Sequence, residues 1–314
     1  MPIQRAQPDE PPAHPPTAAV LRQSQRVLHL YTEAFGGRSF ELRSTDELPA
    51  TERGRDRRLP SSSVHCVFLP EAIDDYPTTA ENFAVFKVDI LHQLGHWECG
   101  TFGFSLARWQ GRQAATHTAG SEVGLAGFFE RFSRPELARR LFVTFESGRI
   151  DAHLARRYRG LAPDLRRVMA SALADRPRVS GLPQRAALLE ALVQLSLGTD
   201  LAQDSPPPIA ARIEQLAQWC SQLASLEATV YTTADAVEAC MALFDDLPSR
   251  TAGRTGAGAS SADESEEAFL AEGPPGDRTA DDNAIESVAP VEFRGEFKPD
   301  LVQKELELAN LIVS

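Results

Sequence analysis

Between Asn82 and Cys99 the chain contains no Pro, and Phe83, Val85, Phe86, Val88, Ile90, Leu91 and Leu94 make the run strongly apolar. Two histidines are set into it, in the order Leu91-His92-Gln93-Leu94-Gly95-His96-Trp97-Glu98-Cys99-Gly100-Thr101-Phe102. Thr78 or Thr79 can cap a helix at the start of the run by accepting from its first free N–H groups. Gly100 or Gly103 can end it. On that helix residues four apart share one face, with Cβ atoms about 5–6 Å apart. The spacing therefore sets two imidazoles side by side, which is the two-histidine half of a zinc site. The pair belongs to an enzyme, to the relic of one, or to a helix that carries this spacing by coincidence.

The residue after the first histidine bears on that choice. A metalloprotease places Glu there as general base. Here the position is Gln93, whose amide takes up no proton at neutral pH. Glu98 is six residues from His92, roughly 240° around the helix, and points away from the pair. A third ligand is available in Glu146, on a separate downstream helix in an apolar stretch after Phe142 and Phe145. The candidate metal set is thus His92, His96 and Glu146, holding zinc in a structural or degenerate site rather than a hydrolytic one. The competing reading buries both histidines as ordinary helix residues and pairs Glu146 with Arg149 at i,i+3. Arg149 and His153 fall on the face of Glu146, and Asp151 does not. Cys99 has no evident orienting partner and reads as a structural thiol. No catalytic or cofactor-binding residue is assigned.

The rest of the chain reads as helices with one small β element. Residues 1–17, rich in Pro, read as a disordered lead-in. Residues 18–248 form a mainly α-helical domain. Its helices are expected at 18–35, at 78 to about 100, and from Pro135 to 151 or as far as Tyr158. Further helices are expected at 163–174, 183–198, 208–227 and 233–246, the last capped by Thr232 or Thr233. Leu125, Phe128, Phe129 and Phe132 mark an apolar helical stripe, and 106–118 is ambiguous. Ser63 to Pro70, β-branched and aromatic, is the best strand. Residues 38–60 are polar and broken. Residues 249–289 read as an acidic flexible linker. Residues 290–314 read as a strand followed by an amphipathic helix, an ending that points toward a further C-terminal domain.

Net charge is −12, which disfavours a nucleic-acid binder. Of 32 basic residues only Lys87, Lys298 and Lys304 are lysines, and Arg and Ala richness suits a GC-rich bacterial genome. An Arg-rich band from Arg131 to Arg167 reads as a solvated, ion-paired surface or as a dock for an acidic partner. Cys66, Cys99, Cys220 and Cys240 form no CxxC pair and are expected to be reduced thiols. No segment has the apolar length of a membrane span, and the N-terminus has no signal-peptide core, so a cytoplasmic protein without membrane contact is the default. Gly253 to Gly258 lack the Lys-Ser/Thr of a phosphate loop, so no nucleotide site is read in this chain.

Several of these pieces recur together in one family. They are Ser63 to Pro70, Asn82-Phe83 to Lys87, and His92-Gln93-x-Gly95-His96-x-Glu98-x-Gly100-Thr101-Phe102. Then follow Leu141-Phe142 to Glu146-x-x-Arg149-x-Asp151, Tyr158-Arg159-Gly160-Leu161, and Phe293-Arg294-Gly295-Glu296-Phe297-Lys298-Pro299. In this order, from about residue 60 onward, the chain resembles the N-terminal region of the CbbO/NorD-type accessory proteins. The resemblance implies a zincin-like helix pair without its Glu base. It implies a non-catalytic adaptor that works with a MoxR-family AAA+ ATPase ring to activate a client enzyme. The HQxGH form is closer to the rubisco-activating branch than to the nitric oxide reductase branch. Such proteins carry a client-reading von Willebrand A domain. No such domain is present in this sequence, so the resemblance implies that it follows residue 314 or comes from a separate chain. A zincin-like metallohydrolase, or a helical protein with a structural metal, is the alternative.

Overall fold

The apolar run becomes the central helix of the fold. In a computed structural model, residues 14–37, 39–48, 58–113, 124–201, 204–245, 247 and 287–313 are described, with side chains as far as residue 306. Helix α2 spans Thr79–Glu98. Thr78 caps it by accepting from the Glu81 N–H, and Gly100, at φ +71°, turns the chain away at the other end. From Ala84 to His96 nearly every α2 side chain is buried, whichever way it points. A helix apolar all round must sit at the centre of a fold. Polar side chains on it then need partners. Asn82 shows how: its amide donates to the carbonyls of Thr17 and Tyr76 and accepts from the Tyr76 N–H.

Around α2 lie α1 (Leu21–Gly36), α5 (Pro135–Arg157) and α6 (Ala162–Ala174). Pro135 opens α5 at its first turn, where a missing N–H costs nothing. α5 crosses α2 closely because Gly95 has no side chain: a Cβ there would lie 2.5 Å from Ile150 Cγ2. The Lys87 ammonium joins α2 to Asp164 on α6 at 2.7 Å. Outside α5 pack α7 (Gln184–Ser196), α8 (Ala210–Leu223) and α9 (Val230–Asp245), while α3 (Leu106–Gln113) and α4 (Leu125–Glu130) cover one end. α10 is Pro299–Val313.

The β structure is small. β1 (Ala19–Val20) pairs antiparallel with β5 (Ala72–Ile73). β4 (Cys66–Leu69) is the centre of a second sheet, parallel to β2 (Glu41–Ser44) and antiparallel to β3 (Ser61–Ser62). The protein is therefore mainly α with a small β element.

Three local expectations are corrected. The stretch 38–60, read as broken, contains β2, whose side chains alternate exposed and buried. α9 begins at Val230, so Thr233 is inside the helix and not its cap. No strand forms between Ser287 and Lys298. That segment makes one 3₁₀ turn at Glu292–Arg294 and returns to the body of the fold. The lead-in at 1–13, residues 114–118 of the ambiguous stretch and 249–286 of the expected linker lie outside the described residues. Ala289, the last residue of that linker, is held by Arg176.

Candidate functional site

His92 is fully buried, and its Nδ1 lies 2.9 Å from Asp151 Oδ1. An ionised carboxylate can only accept, so Nδ1 carries the hydrogen. Burial pushes the Asp151 carboxyl up, but the Arg294 guanidinium and then His92 outweigh it and hold it below the usual carboxylate value. Arg294 is 5% exposed. Its Nε and Nη2 donate to Asp151 Oδ2 at 2.9 and 2.8 Å. Its Nη1 donates to Ser196 Oγ at 2.8 Å and its Nη2 also to the Ser196 carbonyl at 3.0 Å. A buried charge is tolerable when paired and hydrogen-bonded in this way. The chain of contacts runs from His92 on α2 to Asp151 on α5, then to Arg294 of the C-terminal segment, which ties it to Ser196 on α7. Asp151 and Ser196 also line a cavity of about 340 Å³ between α5, α6, α7 and α8, walled by Phe145, Leu165, Met169 and Leu223.

Gln93 has a defined task here. Its Nε2 donates to the Arg294 carbonyl at 2.9 Å. A Glu in this place has no hydrogen to give at neutral pH. Directly beyond, Gly295 takes φ +71°, and a Cβ on it would fall 2.0 Å from the Pro60 carbonyl oxygen and 2.7 Å from Gln93 Nε2. Only glycine fits both the backbone angle and the space. Aromatic rings complete the seal. Phe297 stacks on His96 at 4.9 Å between centroids and on Phe102 at 5.6 Å, and Phe293 meets the edge of His92 at 6.0 Å.

The histidine rings stand at right angles, 5.4 Å apart. His92 Nε2 and His96 Nδ1 have no hydrogen-bond partner among the described residues. Burial, then the proximity of His92 and Arg149, push the His96 imidazole well below its ordinary value, so it is neutral. Glu146 does not join them. Both its oxygens are taken: Arg149 donates twice, Thr101 Oγ1 donates at 2.5 Å and Thr233 Oγ1 at 2.6 Å. In this arrangement Glu146 makes the i,i+3 pair with Arg149 rather than turning to the histidines. Among the described residues no group of three His, Cys, Asp or Glu side chains is arranged to hold a metal ion. His92, His96 and Glu146 do not fit a three-ligand zinc site.

Other candidates take ordinary roles. Glu98 faces away from the histidines, accepting from Tyr158 Oη at 2.8 Å and lying 3.1 Å from His153 Nε2. Burial pushes the Cys99 thiol up to about 11, which leaves little thiolate at neutral pH. All four cysteines are free. No described helix is long and apolar enough to cross a membrane. Asp89, one turn before His92, is buried with no partner for Oδ1 among the described residues, and burial, then Asp75 and Glu292, raise its carboxyl well above the usual range.

Reading residues one helix at a time passed over Asp151, which lies off the face of Glu146, and gave Arg294 no role. The available signal was chemical. An Arg between Phe293 and Gly295 in an apolar segment, and an Asp beside Ile150, each call for an opposite charge once buried. Compared with protein-family models, with curated proteins and with solved structures, the chain matches none.

Proposed function

We propose that this chain is a non-catalytic adaptor for a MoxR-type AAA+ ATPase that remodels a client enzyme, with rubisco the favoured client. The observation that carries the non-catalytic part is the covered histidine face. A hydrolase needs an open position for water and substrate at its histidines. Here His92 has no exposed surface, Phe293 and Phe297 lie against the pair, and the position of a general base is given to an amide that holds the covering segment. The ATPase and client parts rest on the ordered motifs from Ser63 to Pro299, and the rubisco branch on the HQxGH form. Exposed arginines on α5 and α6, such as Arg157 and Arg166, offer contacts to an acidic partner.

The test is co-expression with MoxR-type ATPases encoded beside a rubisco operon and beside a nitric oxide reductase operon. The reading expects a stable complex with the first, and recovery of inhibited rubisco that needs ATP and this chain together. A complex and recovery with the second would move the client to nitric oxide reductase. No complex with either, or peptide hydrolysis by this chain alone, would end the adaptor reading.

A further inference from the structure

The C-terminal segment lies on the body through contacts of the kind that join a peptide to its receptor. Body groups address the segment's main chain. Gln93 Nε2 donates to the Arg294 carbonyl at 2.9 Å, Arg176 Nη1 to the Ala289 carbonyl at 2.9 Å, and Arg140 Nη1 to the Val288 carbonyl at 3.2 Å. The Pro60 carbonyl accepts from the Glu296 N–H at 2.7 Å. In the other direction Glu305 accepts from the Val64 N–H at 2.8 Å. In peptide recognition such main-chain bonds supply affinity and side-chain slots supply specificity. The slots are distinct. Asp151 and Ser196 take the guanidinium of Arg294. The rings of His96 and Phe102 take Phe297. The narrow gap between Pro60 and Gln93 admits only Gly295.

Withdrawal of the segment strands no buried charge. Arg294 leaves with it into water, and Asp151 keeps His92 while gaining solvent on its other oxygen. The floor that the segment covers mixes polar groups, Gln93, Asp151 and Ser196, with the rings of His96, Phe102 and Phe142, and Val288, Val291 and Phe293 of the segment pack into the core.

We propose that the His92–Gln93–His96 face of α2, with Pro60, Asp151 and Ser196, is a peptide-binding site for segments of aromatic–Arg–Gly–x–aromatic sequence, where x is any residue with a backbone N–H. Residues 287–305 are its tethered occupant, exchangeable for the same sequence presented on another molecule. Covalent attachment gives an occupant an effective concentration that can reach the order of millimolar, so a free peptide competes poorly until the connection is cut.

The test uses the full chain with a protease recognition site, flanked by Gly-Ser spacers, inserted after Ser265. After cleavage a fluorescent peptide of residues 287–305 is added and its anisotropy followed. The proposal expects one labelled peptide to bind per body with displacement of the cleaved segment. Peptides carrying Arg294→Ala or Gly295→Ala should bind at least about 30-fold more weakly, about 2 kcal/mol. A Glu296→Gln peptide, altered at a partly exposed position, should bind within about 3-fold of the parent, which is about 0.7 kcal/mol. A cleaved segment that exchanges only when the protein unfolds would show it to be integral core and overturn the proposal. So would equal binding of the Gly295→Ala and parent peptides, or a segment that leaves and is not replaced. A second arm keeps the tether intact: the Gly295→Ala chain should bind the parent peptide without cleavage, and the unaltered chain should not.

Discussion

Gln93 and Arg294 are 201 residues apart in sequence and are joined by a hydrogen bond of 2.9 Å from the side-chain amide of one to the carbonyl of the other. This bond gives the residue after His92 a task that a carboxylate cannot perform at neutral pH. A carboxylate here would set two acceptors face to face in a buried site. Gln93→Glu should therefore lower stability by about 1–3 kcal/mol, the cost of leaving a buried acceptor unsatisfied. Urea unfolding measures it. The same variant, assayed with added zinc, should cleave no peptide. Undiminished stability, or zinc-dependent cleavage, would contradict the role given to Gln93.

The Asp151–Arg294 pair should behave as a coupled unit. Removing either partner alone leaves a buried charge without its opposite, which costs about 3–5 kcal/mol. Asp151→Asn and Arg294→Gln should each fall near that range. The double variant should cost clearly less than the sum. The pH dependence has a defined sign. The folded-state pKa of Asp151 is depressed, so its contribution is present above the unfolded carboxylate value, about 3.9, and is lost as pH falls toward the folded value. Arg294→Gln should lose less stability than the parent over that acid window. Additive single variants, with unchanged acid unfolding, would mean the pair contributes nothing specific.

Glu146 offers a direct contrast between a metal ligand and a hydrogen-bond hub. Glu146→Ala strands the Arg149 guanidinium among α2, α5 and α9, and should cost about 3–5 kcal/mol. Its zinc content after dialysis against zinc, measured by mass spectrometry, should equal that of the parent protein. Zinc bound by the parent and lost in both Glu146→Ala and His92→Ala would restore Glu146 to the ligand set.

What the sequence disclosed divides along the range of the interactions. The cap at Thr78, Pro135 at the start of α5 and the stop at Gly100 are local, and each is legible from a few neighbouring residues. The fold class follows from them. β2 was hidden because four residues, Glu41–Ser44, are too few to show a period, and their pairing with β4 depends on chain from 45 to 65. Thr233 read as a cap because a Thr near a helix start often is one. Its actual partner, Glu146, is 87 residues away. The site suffered most. His92 and His96 were visible as a pair, but what completes their surroundings comes from Asp151, Arg294 and Phe297, none of which is near in sequence. Helical spacing on α5 alone favoured Glu146, whose side chain turns instead to Arg149, Thr101 and Thr233.

Asp89 gives the last prediction, because its environment opposes its charge. It is buried on α2, its Oδ1 lacks a partner among the described residues, and Asp75 and Glu292 add to the effect of burial. Its folded pKa is therefore raised well above the unfolded value near 3.9. Between those two values the folded state binds more protons than the unfolded state, so stability falls as pH rises. Asp89→Asn keeps the shape and removes the ionisation. It should be more stable than the parent at pH 8 and should lose that advantage progressively toward pH 4. Thermal unfolding of both proteins at matched ionic strength across that range reads the difference. A gap that does not change with pH would place the origin of the effect elsewhere than in the Asp89 charge.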